Sequence, residues 1–154
     1  MFEAVPVVTL ALATLLGFTL TALAALHFYW GYGGHWPATS ERGLVQWVVG
    51  DPRRTRMPSR RAAVAVALAL ELGALVAWLL AFRVAPAIDG FVTVAGLAIA
   101  LVFLGRGALG YAPPWRARLC AEPFATWDRL VYSPLCLALG AGFAILLWPR
   151  IAAP

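Results

Sequence analysis

The chain has 154 residues, of which 62% are hydrophobic and 12% charged, and its formal net charge is +5. Soluble domains carry roughly 25% charged residues, and the mean hydropathy here is +0.82, so a water-soluble domain is excluded and one compact membrane bundle is expected. All 12 basic residues are arginine; they lie in the connections between apolar runs, a pattern that sets membrane topology and touches anionic lipid and that argues against nucleic acid as a partner.

The first apolar run spans about residues 5–30. Ala22-Leu23-Ala24 resembles the small-residue site of a secretory leader, but Glu3 precedes the run where a leader carries basic residues, and the apolar stretch is too long. A retained helix is expected. Three further runs follow at about 62–82, 91–111 and 125–148. Each is long enough, at 1.5 Å per residue, to cross a hydrocarbon core of roughly 30 Å. The fold class expected is therefore an all-α membrane protein, a single four-helix transmembrane bundle.

The connection at about 31–61 is not plainly disordered. GLVQWVV at 43–49 is apolar yet too short to span, so it lies on the interface or folds back on the helix ends, while DPRRTRMPSRR after it is a solvated basic hinge. A shorter connection occupies about 112–124. The fourth run contains Ser133-Pro134. A helix starting there is only about 15 residues long, too short to span, so a helix from near Thr126 with a kink at Pro134 is expected, freeing a carbonyl near Leu130.

Orientation follows from arginine placement. Arg42, Arg53, Arg54, Arg56, Arg60 and Arg61 occupy the first connection, and Arg116 and Arg118 the third, with Arg106 and Arg129 at its borders; only Arg83 and Arg150 lie on the other side. The positive-inside rule puts both longer connections in the cytoplasm and both termini on the outer, periplasmic side of a bacterial inner membrane. Trp30, Trp36, Trp47, Trp115 and Trp127 fall in or beside those connections, as an interfacial aromatic belt requires. Gly105, Gly107 and Gly110 in the third helix and Gly140 with Gly142 in the fourth permit close backbone contact, within the bundle or between copies.

Polar groups inside apolar runs are expensive and ask for partners. By depth from the cytoplasmic ends, Glu71 and Arg106 can pair, and His27, Asp128 and Tyr132 fall at a similar level, the last two sharing a helix face. These five residues form the candidate polar site. It reads either as a network that fixes helix register or as a pocket in which Glu71 or His27 moves protons and Arg106 holds an anionic or carbonyl group. His27 and His35 are separated by glycines, Cys120 and Cys136 match no zinc or redox spacing, and no Ser/His/Asp triad, P-loop or dinucleotide loop occurs. No metal and no cofactor is expected.

LHFYWGYGGHWP at 26–37, FLGRGALGY at 103–111 and FATWDRLVYSPLCLALG at 124–140 together resemble the DUF3995 family of small bacterial membrane proteins. Residues matching its blocks are His27, Tyr29, Trp30, Gly33, Gly34, Trp36, Arg106, Trp127, Asp128, Tyr132, Ser133, Pro134 and Cys136. The resemblance implies a four-helix membrane protein without an assigned activity. Two functions remain open at this point. One is a protein that binds a lipid or small amphiphile, or serves as an accessory subunit to a second copy or another membrane protein. The other is a small intramembrane enzyme or proton-coupled carrier using Glu71 and His27.

Overall fold

The computed structural model describes residues 5–82 and 86–152. Glu3, which entered the reading of a leader, and Arg83, which entered that of topology, lie outside the described residues. The described residues form helices and connections, with no strand among them. In chain order the helices are α1 (Val7–Gly31), α2 (Glu41–Val48), α3 (Arg60–Ala81), α4 (Pro86–Leu109), α5 (Pro113–Arg118), α6 (Phe124–Trp127) and α7 (Ser133–Ile151), with a π-helical turn over Asp128–Tyr132 joining the last two.

Four spans are long and apolar enough to cross a membrane: α1, α3, α4 and the continuous Phe124–Ile151. The outward faces of these spans carry large apolar side chains, with Phe18 75% and Phe91 76% exposed and Leu72, Leu101, Val102 and Ile145 similarly uncovered. Such continuous apolar cover is a liability in water and the normal surface of a protein in hydrocarbon. The molecule is a four-helix membrane protein.

The spans associate as two pairs, α1 along α3 and α4 along α7, which meet around Leu16, Leu20, Leu80, Phe143, Leu146 and Leu147. Lipid supplies no hydrophobic force between helices, so close packing of small residues does the work. At Gly140 a Cβ would stand 2.9 Å from the Leu104 amide nitrogen and 3.0 Å from the Ala100 carbonyl oxygen, so only glycine lets α7 lie against the α4 backbone. Gly105, by contrast, has nothing within 4 Å of where a Cβ would stand and faces outward.

The two ends of the bundle are closed differently. At the end opposite the long connections, Arg150 donates through Nη2 to the Leu79 and Phe82 carbonyls at 3.1 and 2.9 Å. Its Nη1 also lies 3.0 Å from Asp89 Oδ1, a charge contact not aligned as a hydrogen bond. One arginine thus ties the end of α7 to α3 and to the start of α4. Arginine suits this task because its planar fork offers five donors.

At the long-connection end, α2 starts at Ser40, whose hydroxyl accepts the Gly43 amide at 3.2 Å, and α3 starts at Ser59, which accepts the Ala62 amide at 3.3 Å. Both are N-cap residues for orphan helix amides. Leu44 and Val45 of α2 are 0% and 1% exposed, so the GLVQWVV segment folds back on the bundle rather than lying free on the surface. It docks where the second long connection re-enters. The Ala121 amide donates to the Gly50 carbonyl at 3.0 Å, the Phe124 ring seats against Gly50, and the Trp47 and Trp127 rings lie 5.6 Å apart. Gly50 has φ +74 and no room for a Cβ, both of which require glycine.

Candidate functional site

The fourth span begins two residues before Thr126, and its expected break at Pro134 takes a specific form. Proline lacks an amide hydrogen and its ring crowds the preceding turn. The chain answers with a widened turn: the Ser133 amide reaches back five residues to the Asp128 carbonyl. In that register Pro134 would have to serve the Arg129 carbonyl, and the Tyr111 hydroxyl does so instead at 3.1 Å. The freed acceptor is thus on Arg129, one residue before the position expected from a simple kink.

The widened turn presents Asp128 and Ser133 to the last turn of α4. Arg106 Nη2 donates to Asp128 Oδ1 at 2.5 Å, and Nη1 donates to Ser133 Oγ at 3.3 Å. Ser133 Oγ donates in turn to Asp128 Oδ1 at 3.3 Å, and Trp115 Nε1 donates to Asp128 Oδ2 at 3.1 Å. The guanidinium also lies over the Trp115 ring, 4.8 Å from its centroid, close enough for a cation–π contact. Asp128 is buried, its side chain 5% exposed, while that of Arg106 is 29% exposed. Gly110 makes the approach possible: a Cβ there would collide with Ser133 Oγ and stand 3.1 Å from Asp128 Oδ2. Every oxygen of the buried carboxylate is thereby served, which is the condition for tolerating a buried charge.

Of the five residues expected to converge, Arg106 and Asp128 touch and Tyr132 adjoins them. The Tyr132 hydroxyl is directed elsewhere, donating to the Trp47 carbonyl at 3.2 Å and so pinning α2 to the fourth span. His27 and Glu71 belong to the other helix pair. His27 Nδ1 lies 2.8 Å from the Leu23 carbonyl of its own helix, with its ring edge-on to Trp30. Glu71 accepts the Thr21 hydroxyl at 3.1 Å across the α1–α3 seam.

The expected Glu71–Arg106 pair is therefore not formed, and the reason is level as well as partnership. Arg106 stands three residues from the end of α4, whereas Glu71 stands 11 residues beyond Arg60, about 16 Å up α3. Asp128, five residues into the fourth span, is level with Arg106 and on the helix that packs against α4.

The tryptophans divide as well. Trp36 and Trp127 remain exposed at the long-connection end, Trp30 donates its indole N–H to the Trp36 carbonyl at 2.8 Å, and Trp115 turns onto Asp128. Trp115 is thus a member of the charged cluster, a role its position in the chain does not announce. Ser133, which in the sequence stands out as the residue before Pro134, is the hydroxyl link of the same cluster.

One open cleft borders this cluster and a second adjoins the first. The inner one, about 160 Å³, is lined by Gly110, Trp115, Arg116, Leu119, Cys120, Ala125 and Asp128. The outer one, about 190 Å³, is lined by Arg116, Glu122, Ala125, Thr126, Arg129 and Leu130. Arg116 and Ala125 border both, so the clefts adjoin. Neither takes in His27 or Glu71. Among the described residues no three His, Cys, Asp or Glu side chains come together to hold a metal ion.

A family profile described as "Protein of unknown function (DUF3995)" matches residues 20–143, a stretch that contains the whole cluster and both clefts. No curated protein and no solved structure matches the chain.

Proposed function

The chain belongs to the DUF3995 family, and from that premise we propose that it binds the polar head of a membrane lipid or similar small amphiphile at the end of the bundle built by α4, α5 and the start of the fourth span. The observation that carries this reading is the pair of adjoining clefts. They open where a charged cluster, an interfacial tryptophan and the lipid-facing Leu130, 63% exposed, stand side by side. Binding sites for small molecules combine an apolar wall with a few fixed polar groups, and the Arg106–Asp128–Trp115 cluster is a rigid floor of that kind.

The same geometry does not favour the rival reading, an intramembrane enzyme or proton-coupled carrier working through Glu71 and His27. Those two groups sit on the α1–α3 pair with partners of their own and border neither cleft. An accessory role toward a second copy or another membrane protein is compatible with lipid binding; the uncovered Gly105 face of α4 is where such a contact would form.

The orientation that goes with this reading places the long-connection end in the cytoplasm of a bacterial cell and both termini outside its inner membrane. Nine exposed arginines stand at that end, in the two long connections and at their borders, against Glu41, Asp51 and Glu122, which is the asymmetry the positive-inside rule describes.

The test is native mass spectrometry of protein purified from its membranes, compared with Ala125→Trp, which fills both clefts. The wild type is expected to carry a bound lipid or amphiphile that the variant loses while its helical circular dichroism is unchanged. Equal retention by both proteins would refute the site.

A further inference from the structure

Resting on the reading that the clefts hold a lipid head, we infer that the outer cleft selects a zwitterionic headgroup with a phosphodiester and a primary ammonium, as in an aminophospholipid, over a purely anionic one. The argument is a matter of which charges remain free. Among the described residues the ion pairs are Arg106 with Asp128 and Arg150 with Asp89. Asp128 is therefore spent, and the charge of Arg106 is cancelled.

Around the outer cleft, however, Arg116, Arg129 and Glu122 are all exposed and in no ion pair among the described residues. Glu122 accepts the Thr126 amide through one oxygen at 3.2 Å and the Thr126 hydroxyl through the other at 3.1 Å. These bonds hold the carboxylate in place at the start of α6 without neutralising it. Each oxygen keeps a lone pair for a further donor.

Two arginines and one fixed carboxylate around a single cleft are complementary to a zwitterion. Arginine binds phosphate through parallel N–H donors and stays charged at any physiological pH. A carboxylate beside them repels a second negative group and attracts an ammonium. The cleft is bounded on its other side by Leu130, which faces lipid, and the neighbouring Val131 is also exposed. A phospholipid in the surrounding leaflet can thus place its head between the charges while its acyl chains stay in hydrocarbon. A soluble phosphoethanolamine offers the same polar chemistry but gains nothing from that apolar border.

The experiment uses the full chain in detergent, titrated with phosphatidylethanolamine, phosphatidylcholine or phosphatidylglycerol, with bound lipid counted by native mass spectrometry. Ala125→Trp sets the background. A roughly two- to fivefold preference for phosphatidylethanolamine is expected, the size of one exposed ion pair. Glu122→Gln should abolish that preference by lowering phosphatidylethanolamine binding toward that of phosphatidylglycerol, while Arg116→Gln with Arg129→Gln should weaken all three lipids. Soluble glycerophosphoethanolamine should not displace bound lipid at matched concentration.

If lipid binds above background but phosphatidylglycerol is preferred, or Glu122→Gln changes nothing, the headgroup assignment is overturned and the cleft reading survives. Displacement by the soluble headgroup would overturn the membrane as its source. Binding no greater than in Ala125→Trp would overturn both.

Discussion

The charged cluster makes a quantitative claim at Asp128. Three donors converge on its carboxylate: Arg106 and Ser133 on Oδ1, and Trp115 on Oδ2. Asp128→Asn keeps the shape but supplies an amide, whose NH2 must face at least one of those donors. The best arrangement turns it toward Trp115, losing that bond and leaving an indole N–H unserved, at about 1–3 kcal/mol. It also leaves the Arg106 charge unpaired. Breaking a buried pair costs about 3–5 kcal/mol, but Arg106 is 29% exposed, so its share is screened toward the range of exposed pairs, about 1 kcal/mol or less. The total expected for Asp128→Asn is about 1–4 kcal/mol.

For a chain of this length that corresponds to a fall of about 2–16 °C in Tm, read by tryptophan fluorescence and circular dichroism in one detergent. The decisive form is a double-mutant cycle with Arg106→Gln. Because the two side chains touch, the double variant should lose about 1 kcal/mol less than the two single losses added together. Additivity to within about 0.5 kcal/mol would refute the claim that the pair is coupled, and with it the account of why the π turn faces α4.

Gly140→Ala should lower stability by about 1–3 kcal/mol, since its methyl group meets the α4 backbone at 2.9 and 3.0 Å. Gly105→Ala, with open space around it, should be neutral or slightly stabilising by helix propensity; thermal unfolding of the two variants checks both signs. Tyr132→Phe removes the hydroxyl that holds the Trp47 carbonyl, so amide hydrogen exchange over residues 41–50 should quicken while α7 stays protected. Unchanged exchange there would mean that the buried Leu44 and Val45 alone hold α2.

The spans, their number and the bias of arginine to one end were legible in the chain because each depends on a sum over neighbouring residues. Hydropathy over about 20 residues decides whether a segment can sit in hydrocarbon, whatever lies beside it. The resemblance carried by the blocks at 26–37, 103–111 and 124–140 was legible for the same reason, since the order of residue types is itself the signal. Pro134 announced a disturbance, because the lack of an amide hydrogen is a property of the residue.

Partnership was not legible in this way. Glu71 and Arg106 look complementary along the chain, yet pairing requires neighbouring helices, a common level and facing directions. The association of α1 with α3 and of α4 with α7 gave Arg106 to Asp128 and Glu71 to Thr21. Asp89 and Arg150 lie 61 positions apart, and no local pattern joins them. They meet because both stand at the same end of the bundle.

The form of the break at Pro134 was likewise a tertiary decision. A π turn is tolerable there because Tyr111, from the connection that follows α4, serves the carbonyl that proline cannot. By itself the sequence determined which segments enter the membrane and which charges cannot, since transfer into lipid is a property of each segment alone. Only the tertiary structure decided which polar groups satisfy one another and where clefts remain, because those depend on the distance and direction between helices far apart in the chain.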